Sequence, residues 1–182
     1  EYSAGIYIER KKYTDELSRY AREHLLELSL GEEELSLVYK SDISSGTLSK
    51  DEAILEYKEV YRRNIERERA AGTSLFGPQR DDIIINISGH EARSFASQGQ
   101  QRSIVLSMKL GEGDIIHSRF GEYPVYLFDD VLSELDDERR AYLAGKTDNL
   151  QTVITSCEGA ERHLKNINVI IAEGGTYVPS HR

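Results

Sequence analysis

Four apolar residues, Val125 to Phe128, run straight into two carboxylates, Asp129 and Asp130, within the stretch PVYLFDDVLSELD at 124–136. A run this short and apolar reads as a buried strand, and apolar strands of that kind belong to parallel sheets covered on both faces. In open α/β sheets, ligands sit just beyond the carboxyl ends of the strands. Two acids at that edge suit a Mg²⁺-nucleotide: one supports the metal, usually through water, and the other polarises an attacking water. The same residues also read as a buried strand followed by an acidic turn. The doublet alone does not separate the two readings.

What surrounds the doublet adds weight to the first. Ser133-Glu-Leu-Asp136 follows at once and leads into a polar helix, Asp137 to Gly145. Upstream, SQGQQR at 97–102 opens another helix. A hydroxyl residue and a glycine at a helix N-terminus expose amides and the positive end of the helix dipole to an anion, and Gly99 lets the backbone come close. Ser97 also reads as an ordinary N-cap, the commoner role for such a serine. The order of the three features is harder to obtain by chance than any one of them.

Three stretches carry a family resemblance: FGPQRDD at 76–82, SQGQQR at 97–102 and LFDDVLSELDDER at 127–139. Through them the chain resembles the ATP-binding-cassette type of ATPase head found in chromosome-maintenance and DNA-repair proteins. Within that group it is similar to the RecF family of bacterial recombination mediators. The resemblance covers nearly all of the chain, most firmly from Leu75 onward. It implies that Ser97, Gln98, Gly99 and Gln100 form the signature motif, which clasps the γ-phosphate of ATP held by the opposite subunit. It implies Asp129 as the Walker B aspartate supporting Mg²⁺, Asp130 at the position of the usual catalytic glutamate, and Ser133 to Asp136 as the D-loop across the dimer interface. Many such heads place a switch histidine where this chain has Ser156, or Thr155. A hydroxyl can hydrogen-bond a phosphate or water but carries no charge near neutral pH. His163 lies too far along to replace it. Gln79 stands where the family commonly has His.

The resemblance further implies a slow ATPase that uses ATP and Mg²⁺ and forms a homodimer when ATP is bound. It implies DNA as a partner, at gaps and single-strand/double-strand junctions. It also implies mediator proteins of the RecO and RecR type for loading a recombinase, and a cytoplasmic location. Two rivals stand beside this reading. One is the head of another chromosome or repair ATPase with a long coiled-coil arm, which the lack of sustained heptads disfavours. The other is a non-hydrolysing protein-interaction module, which the intact Asp129-Asp130 pair disfavours.

A P-loop requires G-x-x-x-x-G-K-[ST] to cradle the phosphates, and no such string occurs. The chain also begins with Glu rather than Met. The expectation is a C-terminal fragment that does not hold ATP firmly by itself and supplies half of a composite site. The formal charge of −9 does not announce nucleic acid, because duplex affinity comes largely from Lys and Arg on phosphates. Arg62, Arg63, Arg67 and Arg69 cluster on one predicted helix, but Glu59, Glu66 and Glu68 beside them favour a solvated, salt-bridged face. There is no apolar run of the roughly eighteen residues that reads as a membrane span. Cys157 is the only cysteine, which excludes an internal disulfide and is compatible with a reducing compartment.

The periodicities predict a helix over 2–28, with Ile6, Tyr13, Leu17, Tyr20, His24 and Leu28 as its stripe and Gly31 ending it. A half-buried strand follows over 34–39, then a Ser/Gly-rich loop over 41–50 and a helix over 51–71 carrying Ile54, Leu55, Tyr57, Val60, Tyr61 and Ile65. This part, 1–72, reads as a helical arm. From 73 to 182 the pattern is that of the C-terminal lobe of the ATPase head. Its expected parts are a strand over 82–87 buried on both faces and a helix over 100–116. The helix packs on the sheet through Ile104, Val105, Met108 and Ile115 and is weakened at Gly111 and Gly113. Strands follow at 125–128, 152–155 and 169–172, with a helix over 136–143 between the first two. Alternating β and α with apolar strands gives an α/β fold with an open, largely parallel sheet.

Overall fold

The computed structural model describes residues 1–43, 45–157, 164 and 167–179. They form two compact units, Glu1–Glu122 and Tyr123–Arg182. The first holds α1 (Tyr2–Leu28), β1 (Leu35–Lys40), α2 (Lys50–Ala71), β2 (Asp82–Ile87), β3 (His90–Glu91), α3 (Ala92–Phe95) and α4 (Gln98–Phe120). The second holds β4 (Tyr126–Asp129), α5 (Asp137–Thr147), β5 (Thr152–Thr155), β6 (Ile170–Glu173) and β7 (Thr176–Pro179).

Helix α1 has the predicted limits. Leu30 and Gly31 beyond it are both left-handed, and the Gly31 amide returns to the Leu26 carbonyl at 2.7 Å. Its buried face is Ala4, Tyr7, Ile8, Thr14, Leu17, Ala21, His24, Leu25 and Leu28. That face is rotated from the expected stripe: Ile6 and Tyr13 are 44% and 36% exposed. The rotation follows from α4, which lies along α1 and meets it through small residues. Ser103, Ser107 and Gly111 are spaced one helical turn apart, so they share a face, and all three are buried. A Cβ on Gly111 would touch Leu17, Tyr20 and Ala21. Helix α4 therefore packs on a helix rather than on a sheet. It also runs past the expected Ile116 to Phe120, where the left-handed Gly121 ends it. Gly111 and Gly113 do not break it, and at Gly111 the close contact offsets the low propensity. Val105, expected inside, is exposed. His24 Nε2 and Asp114 Oδ2, 2.6 Å apart, tie the two helices together.

Strands β1, β2 and β3 form an antiparallel sheet with Leu35 opposite Ile87, Leu37 opposite Ile85 and Tyr39 opposite Ile83. Leu35 and Leu37 face the core, and the Leu37 amide donates to Ser18 Oγ on α1 at 2.9 Å. The strand over 82–87 is present as expected, but Ile83, Ile84 and Ile85 are only half-buried. Helix α2 begins at the Ser49 cap and ends at left-handed Gly72. Its Ala53 and Tyr57 join Ala4, Tyr7, Ile8 and Ile43 in a small core, bordered by Tyr39, Ile54 and Tyr61. Leu55 and Ile65, counted in the predicted stripe, are exposed. The arginine-rich face is salt-bridged, with Arg63 on Glu59 at 2.5 Å and Arg69 on Glu66 at 2.9 Å. The expected 72/73 division runs through this first unit, since α1 packs on α4 and β1 pairs with β2.

In the second unit β4 and β5 are parallel, giving the α/β character of the fold. The parallel pairing is confined to these two strands among the described residues. Strand β4 starts one residue later than expected and includes Asp129. It is not buried throughout: Tyr126 is inside, while Leu127 is 75% exposed. The cause is its single described neighbour, β5. Helix α5 extends beyond the expected Leu143 to Thr147. The strand expected over 169–172 begins at Ile170 as β6 and pairs with β7 across a Gly174-Gly175 turn, Ile171 opposite Val178.

Candidate functional site

Asp129 is the last residue of β4, at the carboxyl end of the parallel pair, and its register partner on β5 is Thr155. Thr155 Oγ1 donates to Asp129 Oδ1 at 2.5 Å. The second carboxylate oxygen of Asp129 has no hydrogen bond among the described residues, and the side chain is exposed. Asp130 adopts a left-handed conformation, φ 50°, which Asp tolerates better than most residues. Its amide donates to the Thr155 carbonyl at 3.1 Å and to Thr155 Oγ1 at 3.0 Å.

A 3₁₀ turn over Val131–Glu134 follows. Leu132 and Leu135 are buried and anchor it, while Ser133 is exposed and its Oγ donates to the Asp130 carbonyl at 2.8 Å. Asp136 caps α5 by accepting the Arg139 amide at 2.9 Å. That bond, assisted by the Arg139 guanidinium, holds the Asp136 carboxyl below the usual carboxylate range. Arg140 Nε donates to the Leu132 carbonyl at 2.7 Å and binds the turn to the helix. Ser156 is exposed immediately after β5, with no hydrogen bond among the described residues. His163 lies outside the described residues.

Among the described residues no three His, Cys, Asp or Glu side chains converge as a metal cage. Mg²⁺ does not need one: it keeps several waters and is held by one or two carboxylates plus substrate phosphates. An exposed carboxylate with one oxygen fixed and the other unengaged fits that donor set. The edge of a parallel sheet is where such a nucleotide would lie.

In the first unit, Ser97 to Gln100 form the tip of α4. Ser97 Oγ accepts the Gln100 amide at 3.2 Å, and Gln100 Oε1 accepts the Ser97 amide at 2.9 Å. This is a reciprocal capping box, so the ordinary N-cap reading of Ser97 holds. Gln100 Nε2 donates to Glu33 Oε1 at 2.8 Å, so both ends of its amide are engaged within the chain. Gln98 is exposed, and a Cβ on Gly99 would meet nothing within 4 Å. Nothing among the described residues requires glycine there. The first amides of the helix have no intrahelical acceptor.

The 76–82 loop is held from inside its own unit. Gly77 has φ 112°, and a Cβ there would sit 2.6 Å from the Tyr61 hydroxyl. Its amide donates to Asp42 Oδ2 at 2.7 Å. Gln79 Nε2 donates to the Phe76 carbonyl at 2.7 Å. Arg80 turns to the Ser74 carbonyl at 2.9 Å rather than to its acidic neighbours, and Asp81 accepts the Tyr39 hydroxyl at 2.5 Å. Thr155 and Glu33 are the residues that sequence reading undervalued. Thr155 comes beside Asp129 only through the register of the parallel pair, which the sequence pattern does not give.

A protein of Limosilactobacillus fermentum named DNA replication and repair protein RecF is 42% identical over 163 residues, 87% of this chain and 44% of the relative. The Bacillus subtilis protein of the same name is 38% identical over 158 residues, 86% of this chain and 43% of the relative. The solved structure described as the recombination mediator protein RecF-ATP in the RecFOR pathway matches with a TM-score of 0.84 at 28% identity. That match covers 99% of this chain and 48% of the other. Over the residues it spans, the chain is similar to the RecF proteins. It spans about half the length of the curated RecF relatives it matches and corresponds to their C-terminal half. No protein-family model matches the chain. The RecF likeness is thus carried by nearly the whole length and both units, not only by the three motif stretches.

Proposed function

We propose that this chain is the signature-and-Walker-B half of a RecF-type DNA repair ATPase. The observation that carries the reading is Asp129: a carboxylate at the sheet's ligand edge, one oxygen fixed by Thr155 and the other unengaged. Asp129 supports Mg²⁺, and Asp130, next along a left-handed turn, orients the attacking water. Bound Mg²⁺ supplies charge neutralisation on the β- and γ-phosphates. Gln98 and Gly99 present the amides of the α4 tip to the γ-phosphate of ATP held by a second copy, and Ser97, whose own amide is taken by Gln100, caps that tip. Gln100 shapes that tip from behind. The D-loop residues Ser133 and Asp136 hold the turn that follows the acids, and Ser156 offers a hydroxyl at the switch position. Binding ATP therefore drives homodimerisation, and hydrolysis, which is slow with a short Asp and no switch histidine, reverses it.

The helical arm is the part of 1–72 built around α2, and 73–182 contributes the lobe of the head. The dimer binds DNA at gaps and single-strand/double-strand junctions. With mediator proteins of the RecO and RecR type it helps load a recombinase in the cytoplasm. Arg63 and Arg69 on α2 are paired with Glu59 and Glu66, and the chain carries a formal net charge of −9, which supports DNA binding by the assembled dimer rather than by this chain alone. Asp130→Asn in the full-length protein should abolish ATP hydrolysis and preserve ATP-driven dimers, read by phosphate release and light scattering. Normal hydrolysis in that variant overturns the assignment.

A further inference from the structure

The geometry points to Thr155 as a positioning residue that sets both acids of the site, rather than as a contact to the nucleotide. The inference rests on Asp129 as the metal-supporting carboxylate. A threonine hydroxyl has one proton to donate and lone pairs to accept. In Thr155 the proton goes to Asp129 Oδ1 at 2.5 Å, and the oxygen accepts the Asp130 amide at 3.0 Å. Its carbonyl takes the same amide at 3.1 Å. One residue thus fixes the carboxylate rotation of Asp129 and the left-handed backbone of Asp130.

Two consequences follow. Fixing Oδ1 leaves the other oxygen as the one that faces a metal. The hydroxyl also has no second proton for a phosphate oxygen, so Thr155 cannot serve as the switch contact without releasing Asp129. Ser156, exposed and without a hydrogen bond among the described residues, is the hydroxyl left for that role. Outer partners that orient a metal-binding carboxylate act in this way, through the ligand and not on the metal.

The test uses the full-length protein with ATP and Mn²⁺ as the probe, with bound Mn²⁺ read by electron paramagnetic resonance. Thr155→Val removes the hydroxyl at nearly constant shape and should weaken Mn²⁺ binding about 10–100-fold, the usual cost of losing such a partner. Thr155→Ser keeps the hydroxyl and should stay near wild type, a rescue that a packing role would not give. Thr155→Ala removes the same hydroxyl with less bulk and carries the test if valine disturbs the strand. Amide exchange at Asp130 should quicken in the valine and alanine variants and not in the serine variant. Asp129→Asn is the control. If it weakens Mn²⁺ binding while the valine and alanine variants bind as wild type, the positioning role is wrong. If Asp129→Asn itself leaves Mn²⁺ binding unchanged, the metal role of Asp129 is wrong, and the inference falls with it.

Discussion

Gly111 on α4 lies against the backbone of Ala21 on α1: a Cβ added to it would sit 3.0 Å from the Ala21 nitrogen. Tyr20 Cβ at 3.2 Å and Leu17 Cδ1 at 3.4 Å close the other sides. Gly111→Val therefore overpacks the seam, a change that costs about 1–3 kcal/mol, and valine recovers only part of the helix propensity that glycine lacks. Gly145 in α5 is the opposite case, since a Cβ there would meet nothing within 4 Å. Gly145→Ala should stabilise by about 0.5–1 kcal/mol. Urea unfolding is expected to show a lower midpoint for the first variant and a higher one for the second. A Gly111→Val protein as stable as its parent would show that the two helices are not closely apposed.

That seam also shows what the sequence does and does not disclose. Helices α1 and α2 and strands β2 and β5 were legible to within a residue, because periodicity, Ser49, Gly72 and the flanking turns all agree locally. The partner of α4 was not. Ser103, Ser107 and Gly111 add little to a hydrophobic pattern, yet they decide which face of the helix comes closest to its neighbour. The site divides in the same way. Asp129 and Asp130 announce themselves by following an apolar run. Thr155 becomes visible only once β4 and β5 are in register, and Glu33 only once the chain brings it back to Gln100.

Gly99 separates stability from function. It occupies the first turn of α4 at an ordinary helical φ, with open space where a Cβ would go. Gly99→Ala should leave folding unchanged or raise stability by up to about 1 kcal/mol, because alanine is the better helix former. Under the proposed role it should nevertheless abolish ATP-driven dimerisation of the full-length protein, since the methyl group stands where a phosphate must approach. Thermal melting and size-exclusion chromatography with ATP check the two halves. Normal ATP-driven dimers in a well-folded variant would remove the α4 tip from the composite site.

Gln100 is expected to act on the shape of that tip. Its side chain accepts the Ser97 amide and donates to Glu33. Gln100→Ala should cost about 1 kcal/mol through the lost cap and the lost net hydrogen bonding. Glu33→Ala should cost less on its own. A double-mutant cycle should return a coupling of about 0.5–1 kcal/mol, in the range found for residues in direct contact. Additive effects would mean that the loop after α1 does not hold the helix tip.

The tyrosines around α2 give a pH dependence with a defined sign. Burial pushes the Tyr57 hydroxyl up from its ordinary 10 to about 12, only partly opposed by its hydrogen bond with Ser41. Burial also raises Tyr39, whose hydroxyl donates to Asp81, and Tyr7 beside it. The folded protein therefore holds these protons more tightly than the unfolded chain does. The resulting stability is fully present below pH 10 and is lost as the pH rises through about 12. Alkaline titration followed at 295 nm should show the exposed tyrosines ionising first. A later group should ionise together with loss of the far-ultraviolet helical signal. Tyr57→Phe keeps the ring packing and removes the proton, so its alkaline unfolding should shift to higher pH. An unshifted transition would mean that Tyr57 does not govern the opening of the cluster shared by α1 and α2.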